Sequence, residues 1–316
     1  MFDVTDEADD TLSDFAGYVE QVVDLADTLL NFKEITVFVP TNEAFQAFEG
    51  SVEPVVKTVA TNLLTGDDTD MWKDHLEDLL NYHVLPVVVP SLIITNGTTT
   101  SESTVNDNGE VIEFTLKDAI LGDTGIFVNT DAEVVEADID IINGIVHVID
   151  DVLLPPWVDK TIMDIATEKT KTASSPQDEE DLETLVAKLD EVLNAVPELV
   201  PEFALPGSLS APGGYTVFAP TSAAFLEDDL KVTNLSPIQL SSVLNYHVVK
   251  GVYPESVLLG ELTLTTLQGE TLIFTSNTDD DNAATTKVND ENIITPNILA
   301  NNGIVHIIDG VLIPDG

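Results

Sequence analysis

Three blocks of sequence occur twice in the chain, in the same order, and this duplication fixes the size of the folding unit before any secondary structure is assigned. Thr36-Val37-Phe38-Val39-Pro40-Thr41-Asn42-Glu43-Ala44-Phe45 returns as Thr216-Val217-Phe218-Ala219-Pro220-Thr221-Ser222-Ala223-Ala224-Phe225. Leu80-Asn81-Tyr82-His83-Val84 returns as Leu244-Asn245-Tyr246-His247-Val248. Asn143-Gly144-Ile145-Val146-His147-Val148-Ile149-Asp150, running on to Leu154-Pro155, returns as Asn302-Gly303-Ile304-Val305-His306-Ile307-Ile308-Asp309, running on to Ile313-Pro314. The separations are 180, 164 and 159 residues, so length changes fall in loops between the blocks. The 316 residues are therefore two copies of one unit of ordinary domain size. The boundary is expected after Pro156, giving domains 1–156 and 157–316.

Each block has a local reading. Thr36 to Val39 is a β-branched and aromatic run that reads as a short buried strand, and Pro40, which cannot donate to a sheet ladder, ends it. Thr41 suits a helix N-cap, and Glu43 puts a carboxylate in the first turn, where the helix dipole favours it. Phe15, Tyr18, Val19, Val22, Leu25, Ala26 and Leu29 recur at helical spacing, as do Leu182, Leu185, Val186, Leu189, Val192 and Leu193. Ile145 to Ile149 is apolar on both faces apart from His147, which predicts a strand covered on both sides and fed by an Asn143-Gly144 turn. Val111–Leu116 with Ile126–Val128, and Leu262–Leu264 with Thr271–Phe274, read as strand pairs. Helices early and strands late in each copy predict an α+β fold rather than a doubly wound parallel sheet.

Together, the Thr-Val-Phe-x-Pro-Thr-x-x-Ala-Phe, Asn-Tyr-His-Val and Asn-Gly-Ile-Val-His-x-Ile-Asp-x-Val-Leu-x-Pro blocks resemble the fasciclin (FAS1) domain, over essentially the whole chain. The resemblance implies two domains, each a β-wedge of mainly antiparallel strands with helices packed on it, and an extracellular or cell-surface role in adhesion. It also implies that Thr161-Ile162-Met163-Asp164-Ile165-Ala166 opens the second copy. Phe2-Asp3-Val4-Thr5 matches the later part of that opening, so the chain is expected to begin inside the first copy's first helix. Within the family the Tyr-His segment is associated with integrin-type adhesion, which makes Tyr82, His83, Tyr246 and His247 the adhesion motif by resemblance. Taken from the residues alone, a Tyr-His pair among apolar neighbours is either a hydrogen-bonded core pair or a general base or metal ligand. His147 shares a strand face with Ile145 and Ile149, and His306 with Ile304 and Ile308.

Charge removes whole classes of function. The chain has 57 Asp and Glu against 11 Lys and no Arg, a formal net charge of −46. Binding nucleic acid needs clustered basic side chains to displace counterions, and none exist here; anionic membrane surfaces are disfavoured for the same reason. A 43% hydrophobic fraction and a mean hydropathy of +0.14 supply two real cores, so the acidity does not signal disorder. With no cysteine, disulfides, thiol catalysis and cysteine-bound zinc are excluded. No run of 18 apolar residues spans a membrane, and Met1-Phe2-Asp3 lacks the basic and apolar regions of a secretory signal. Any signal peptide or anchor is therefore expected to be missing from this chain.

No nucleophile elbow, phosphate-binding loop or His-Glu-x-x-His motif is present, so no catalytic residue and no cofactor are assigned. Weak calcium binding has Asp279, Asp280 and Asp281 as candidates, although adjacent residues cannot all face one ion without a special loop. Asn96-Gly97-Thr98 and Asn234-Leu235-Ser236 fit the N-glycosylation pattern at Asn96 and Asn234. The acidic stretch Gly66–Asp70, the stretch Pro206–Gly214 and the acidic stretch Asn277–Asn282 read as inserted loops, where binding evolves on a rigid scaffold. The expectation is a non-enzymatic extracellular module that binds a cell-surface or matrix protein or polysaccharide through such loops, with homophilic contact included. The alternative is an acidic surface bridged by divalent cations to itself or to anionic polysaccharide; a hydrolase is a distant third.

Overall fold

The computed structural model describes residues 10–22, 29, 31–65, 69–94, 100–105, 110–118, 124–129, 131–172, 181–195, 214–227, 232, 235–260, 262–278 and 284–315. The chain divides into two compact units, Met1–Pro156 and Trp157–Gly316.

In unit one, β1 (Ile35–Pro40), β2 (Val84–Leu85), β3 (Thr100–Ser103), β4 (Val111–Asp118), β5 (Thr124–Val128), β6 (Ala132–Ile141) and β7 (Gly144–Ile149) form one sheet in the order β2-β1-β7-β6-β5-β4-β3. Every neighbour is antiparallel except the central pair β1 and β7, which run parallel with Val37 opposite Val146. Both central strands are buried along nearly their whole length, as their apolar runs, interrupted only by the polar Thr36 and His147, require. The Val105 N–H donates to the Val84 carbonyl at 3.0 Å, so the sheet curls until its far end meets β2. Around it lie α1 (Ser13–Gln21), α2 (Asn42–Glu49), α3 (Pro54–Ala60) and α4 (Lys73–Tyr82).

Unit two repeats the plan. Its helices are α5 (Ile162–Thr172), α6 (Glu183–Ala195), α7 (Ser222–Glu227), α8 (Pro237–Tyr246) and α9 (Glu255–Leu258). Its strands are β8 (Tyr215–Pro220), β9 (Val248–Lys250), β10 (Leu262–Thr265), β11 (Thr271–Thr278), β12 (Ala284–Val288), β13 (Glu291–Ala300) and β14 (Gly303–Ile308), in the order β10-β11-β12-β13-β14-β8-β9. Even the irregularities recur: β6 slips register twice against β7 around Glu136, and β13 slips twice against β14 around Thr295. The fold is α+β, two seven-stranded, mainly antiparallel barrel-like sheets with helices packed on them.

Sequence explains most of these elements. Pro40 and Pro220 end β1 and β8, and Thr41 and Thr221 then cap the next helix, each Oγ1 accepting the N–H of Ala44 or Ala224 at 3.1 Å. The predicted strand pairs form with Phe114 opposite Val128 and Leu262 opposite Phe274. The first helical run is shorter than its periodicity predicts: α1 stops at Gln21, and Leu25 and Ala26 lie outside the described residues. Inside the curl of the sheet, Phe38, Tyr82, Phe114, Val128 and Ile149 pack into one core, matched in unit two by Phe218, Tyr246, Phe274, Val288 and Ile308, while between sheet and helices in unit two Val217, Ala219, Val305 and Ile307 share a second core with Ile162, Leu185 and Phe225. Among the described residues no helix is long and apolar enough to cross a membrane.

Candidate functional site

The three repeated blocks are far apart in sequence and meet at one place in each unit. Helix α4 ends at Tyr82, and His83 sits at its C-cap, before β2. The His83 ring has its Nδ1 2.8 Å from the Leu79 carbonyl, while Nε2 lies 2.9 Å from the Leu153 N–H. A carbonyl only accepts and a backbone N–H only donates, so Nδ1 carries the proton and Nε2 accepts. The His83 carbonyl in turn accepts the Phe38 N–H at 2.9 Å, and so one residue ties the first, second and third blocks together. In unit two the His247 Nδ1 donates to the Val243 carbonyl at 2.8 Å, Nε2 accepts the Leu312 N–H at 3.0 Å, and the His247 carbonyl accepts the Phe218 N–H at 2.9 Å. Both rings are buried, and burial pulls each down to about 4, against an opposing backbone hydrogen bond.

The tyrosines are equally committed. Tyr82 and Tyr246 are buried, and each Oη accepts a hydrogen bond from an asparagine amide, from Asn129 at 2.8 Å and from Asn289 at 3.1 Å. Tyr246 donates to the Thr271 carbonyl at 3.0 Å, and burial raises the Tyr82 phenol above its ordinary value. The second histidine of each copy follows the same rule. His147 Nε2 donates to the Val89 carbonyl at 2.9 Å and Nδ1 accepts the Asp138 N–H at 3.2 Å; His306 does the same with the Tyr253 carbonyl at 2.9 Å and the Asn297 N–H at 3.2 Å. Burial pulls His306 down to about 4. Their rings stack on Phe38 and Phe218, with centroids 5.5 Å apart in both units. These four imidazoles have both nitrogens bonded to backbone, so none offers a lone pair to a metal or a proton to a substrate.

A family model described as the Fasciclin domain matches residues 10–155 and 184–314. The chain belongs to the fasciclin family. Its relatives include a fasciclin-like arabinogalactan protein of Arthroderma benhamiae, 26% identical over 96% of this chain and 64% of that protein. Protein sll1483 of Synechocystis is 36% identical over 43% of this chain and 63% of its own length, and the transforming growth factor-beta-induced protein ig-h3 of Sus scrofa is 26% identical over 89% and 35%. The chain thus spans less than two thirds of the length of these curated relatives. A FAS1 domain pair from the insect cell adhesion molecule fasciclin I aligns over 96% of this chain and 97% of its own, at 20% identity and a TM-score of 0.40.

In this fasciclin pair, several polar residues complete the junction without having been singled out in the sequence. Asn129 and Asn289 take positive φ, 50° and 52°, and each also accepts a backbone N–H at 3.0 Å, from Glu113 or Ile273. The signal for them was the Val-Asn dipeptide at 128–129, which recurs 160 residues on at 288–289, within one residue of the 159-residue separation of the closing block. Thr36 and Thr216 each donate to one backbone carbonyl and accept one N–H on the loop after the Tyr-His segment. Asp138 and Asn297 sit at the register slips with φ 59° and 57°, holding the N–H of Ser91 or Glu255 at 2.9 Å. Burial acts to raise the Asp138 carboxyl; the hydrogen bonds from Ser91, with His147 nearby, outweigh it and hold it below its ordinary value.

Asn96, Asn234 and Asp279–Asp281 lie outside the described residues, as does most of each inserted loop. Among the described residues no group of three His, Asp or Glu side chains is placed to hold one metal ion. Ser236, the hydroxyl of the second sequon, accepts the Gln239 N–H as the N-cap of α8.

Proposed function

We propose that the chain is a non-enzymatic adhesion or matrix module, working outside the cell, that holds protein or polysaccharide partners against the outer surface of two fasciclin scaffolds. One observation carries this reading: in both copies Tyr82, His83, Tyr246 and His247 direct their polar atoms inward to backbone and asparagine partners. They act as struts that fix the end of α4 or α8 against the sheet, and recognition falls to the exterior. A partner that touched these rings directly would first have to open the junction. Membership of a family whose relatives are adhesion-related supports the same reading.

The test is clustering of beads that carry the chain, alone and with candidate matrix polysaccharides, in calcium and in EDTA. Clustering that survives the chelator is the expected result. Clustering abolished by EDTA would put cation bridging between acidic surfaces in its place. Turnover of a model glycan or ester, lost on His83→Ala, would overturn the non-enzymatic reading.

A further inference from the structure

Unit two holds a cleft of about 740 Å³ over the buried Tyr246 and Leu312. Thr271 and Ile273 line it from β11, Asp290 from the β12–β13 turn, and Ile313 and Asp315 from the segment after β14. Thr271 and Ile273 are two apart on one strand and so share a face; both are exposed, Ile273 by 55%. Two hydrogen bonds fix the segment after β14: the Leu312 N–H donates to His247 Nε2 at 3.0 Å, and the Asp315 N–H to Glu270 Oε2 at 3.0 Å. Unit one keeps the framework of this place and changes its lining. Asn129 accepts the Glu113 N–H as Asn289 accepts that of Ile273, and the Tyr82 hydroxyl meets the Val111 carbonyl as that of Tyr246 meets Thr271. Val111 and Glu113 therefore stand where unit two has Thr271 and Ile273. Leu153 matches Leu312 through its histidine, which puts Pro156 at the place of Asp315. Proline has no N–H to donate, so the tie to Glu270 has no counterpart in unit one.

We propose that this cleft seats a sugar unit of a neutral polysaccharide. The inference rests on the adhesion reading and narrows its partner to an uncharged glycan. A sugar ring presents an apolar C–H face and a rim of hydroxyls that both donate and accept. Ile273 and Ile313 give the face something to pack on. The carboxylates of Asp290 and Asp315 accept from the rim, and the Thr271 hydroxyl can serve it in either sense. Hydrogen bonds to ionised acceptors are the stronger kind. Charge sets the class of glycan, since an acidic polysaccharide would meet these carboxylates within a chain of net charge −46. A basic peptide finds carboxylates all over a chain with 57 Asp and Glu, and it gains nothing from Ile273; the concavity and the apolar lining select the sugar. In unit one the charged Glu113 takes the place of that lining, so the site belongs to unit two alone.

The probes are cellohexaose, laminarihexaose and mannohexaose, titrated by calorimetry into the whole protein, with a galacturonate oligomer and a lysine oligomer as charged controls. At least one neutral sugar is expected to bind saturably and with an affinity indifferent to added salt. Ile273→Glu should weaken it at least about tenfold, roughly 1.4 kcal/mol. That variant should melt with the parent, because Glu113 occupies the same place in unit one on the same hydrogen bond. Asp290→Asn should weaken the sugar by a smaller factor, an amide oxygen being a poorer acceptor than a carboxylate. Binding of none of the three sugars, binding indifferent to Ile273→Glu, or binding of a charged oligomer alone overturns the proposal. Beads that cluster with a chain that ignores all three sugars remove this cleft alone; sugar binding by a chain that never clusters beads removes the adhesion reading and leaves the cleft.

Discussion

At His83 and His247 only one protonation state keeps both ring hydrogen bonds. Protonating Nε2 would set two donors face to face, at Leu153 and at Leu312, in a site without water-facing atoms. Burial accordingly pulls these rings and His306 down to about 4, whereas in the unfolded chain an imidazole titrates near about 6.5. The unfolded state therefore takes up protons first as pH falls. The stabilisation is whole above about pH 6.5 and is lost progressively from there towards about 4. By pH 5 each of the three rings should cost on the order of 2 kcal/mol, read as a falling urea midpoint between pH 7 and 5 at high salt. A midpoint flat over that range would contradict the buried neutral imidazoles. His83→Ala should lose about 2–4 kcal/mol at pH 7, since the Leu153 N–H is left buried without its acceptor, and should flatten the pH slope. That His83 and His247 were core polar groups was legible in their apolar surroundings. Their partners were not, because Leu153 and Asn129 reach the Tyr-His pair from 70 and 47 residues away, and no local pattern encodes that meeting.

Strands β7 and β14 follow turns whose glycines the fold cannot replace. Gly303 has φ +149°, and a Cβ there would stand 1.9 Å from the Tyr215 carbonyl oxygen, inside the parallel β8–β14 pairing; at Gly144 it would stand 2.0 Å from the Ile35 oxygen. Gly303→Ala should cost more than about 3 kcal/mol, seen as loss of the folded baseline in thermal circular dichroism; a melt within a degree of the parent would show that β8 can give way. Thr41→Ala, which removes only a cap, should cost about 1 kcal/mol by the same measurement. The two substitutions separate what repeated sequence says about elements. Strand, proline stop and cap were all legible, since each is a local preference. The register slips at Asp138 and Asn297 were not: a single residue at positive φ leaves no mark on hydrophobic periodicity, and its purpose is set by His147 or His306 on the next strand.

Across the whole molecule the two-copy plan follows from the duplicated blocks, but the partner does not, because the duplicated residues, such as His83 and His247, turn inward and say nothing of the outer surface. Surface charge is the property that both copies share. A formal charge of −46 on 16131 Å² of accessible surface leaves one net charge per roughly 350 Å², about 19 Å from the next. That spacing exceeds the Debye length of about 8 Å at 0.15 M salt and falls inside the length of about 30 Å at 0.01 M. Lysine pairs such as Lys160 with Glu168 and Lys188 with Glu191 are partly exposed and relieve little of it. The melting temperature should therefore rise by several degrees between about 10 mM and 0.2 M NaCl and level off above that, once screening is complete. Mild acid should act in two directions at low salt: proton uptake shrinks the net negative charge and relieves repulsion while the neutral imidazoles begin to oppose the fold, so the optimum should lie at lower pH than it does at high salt. At about 1 M NaCl the first effect is screened away and the peak should move up towards pH 7. A peak that stays put when salt is added would mean that self-repulsion contributes nothing to the stability of the folded chain.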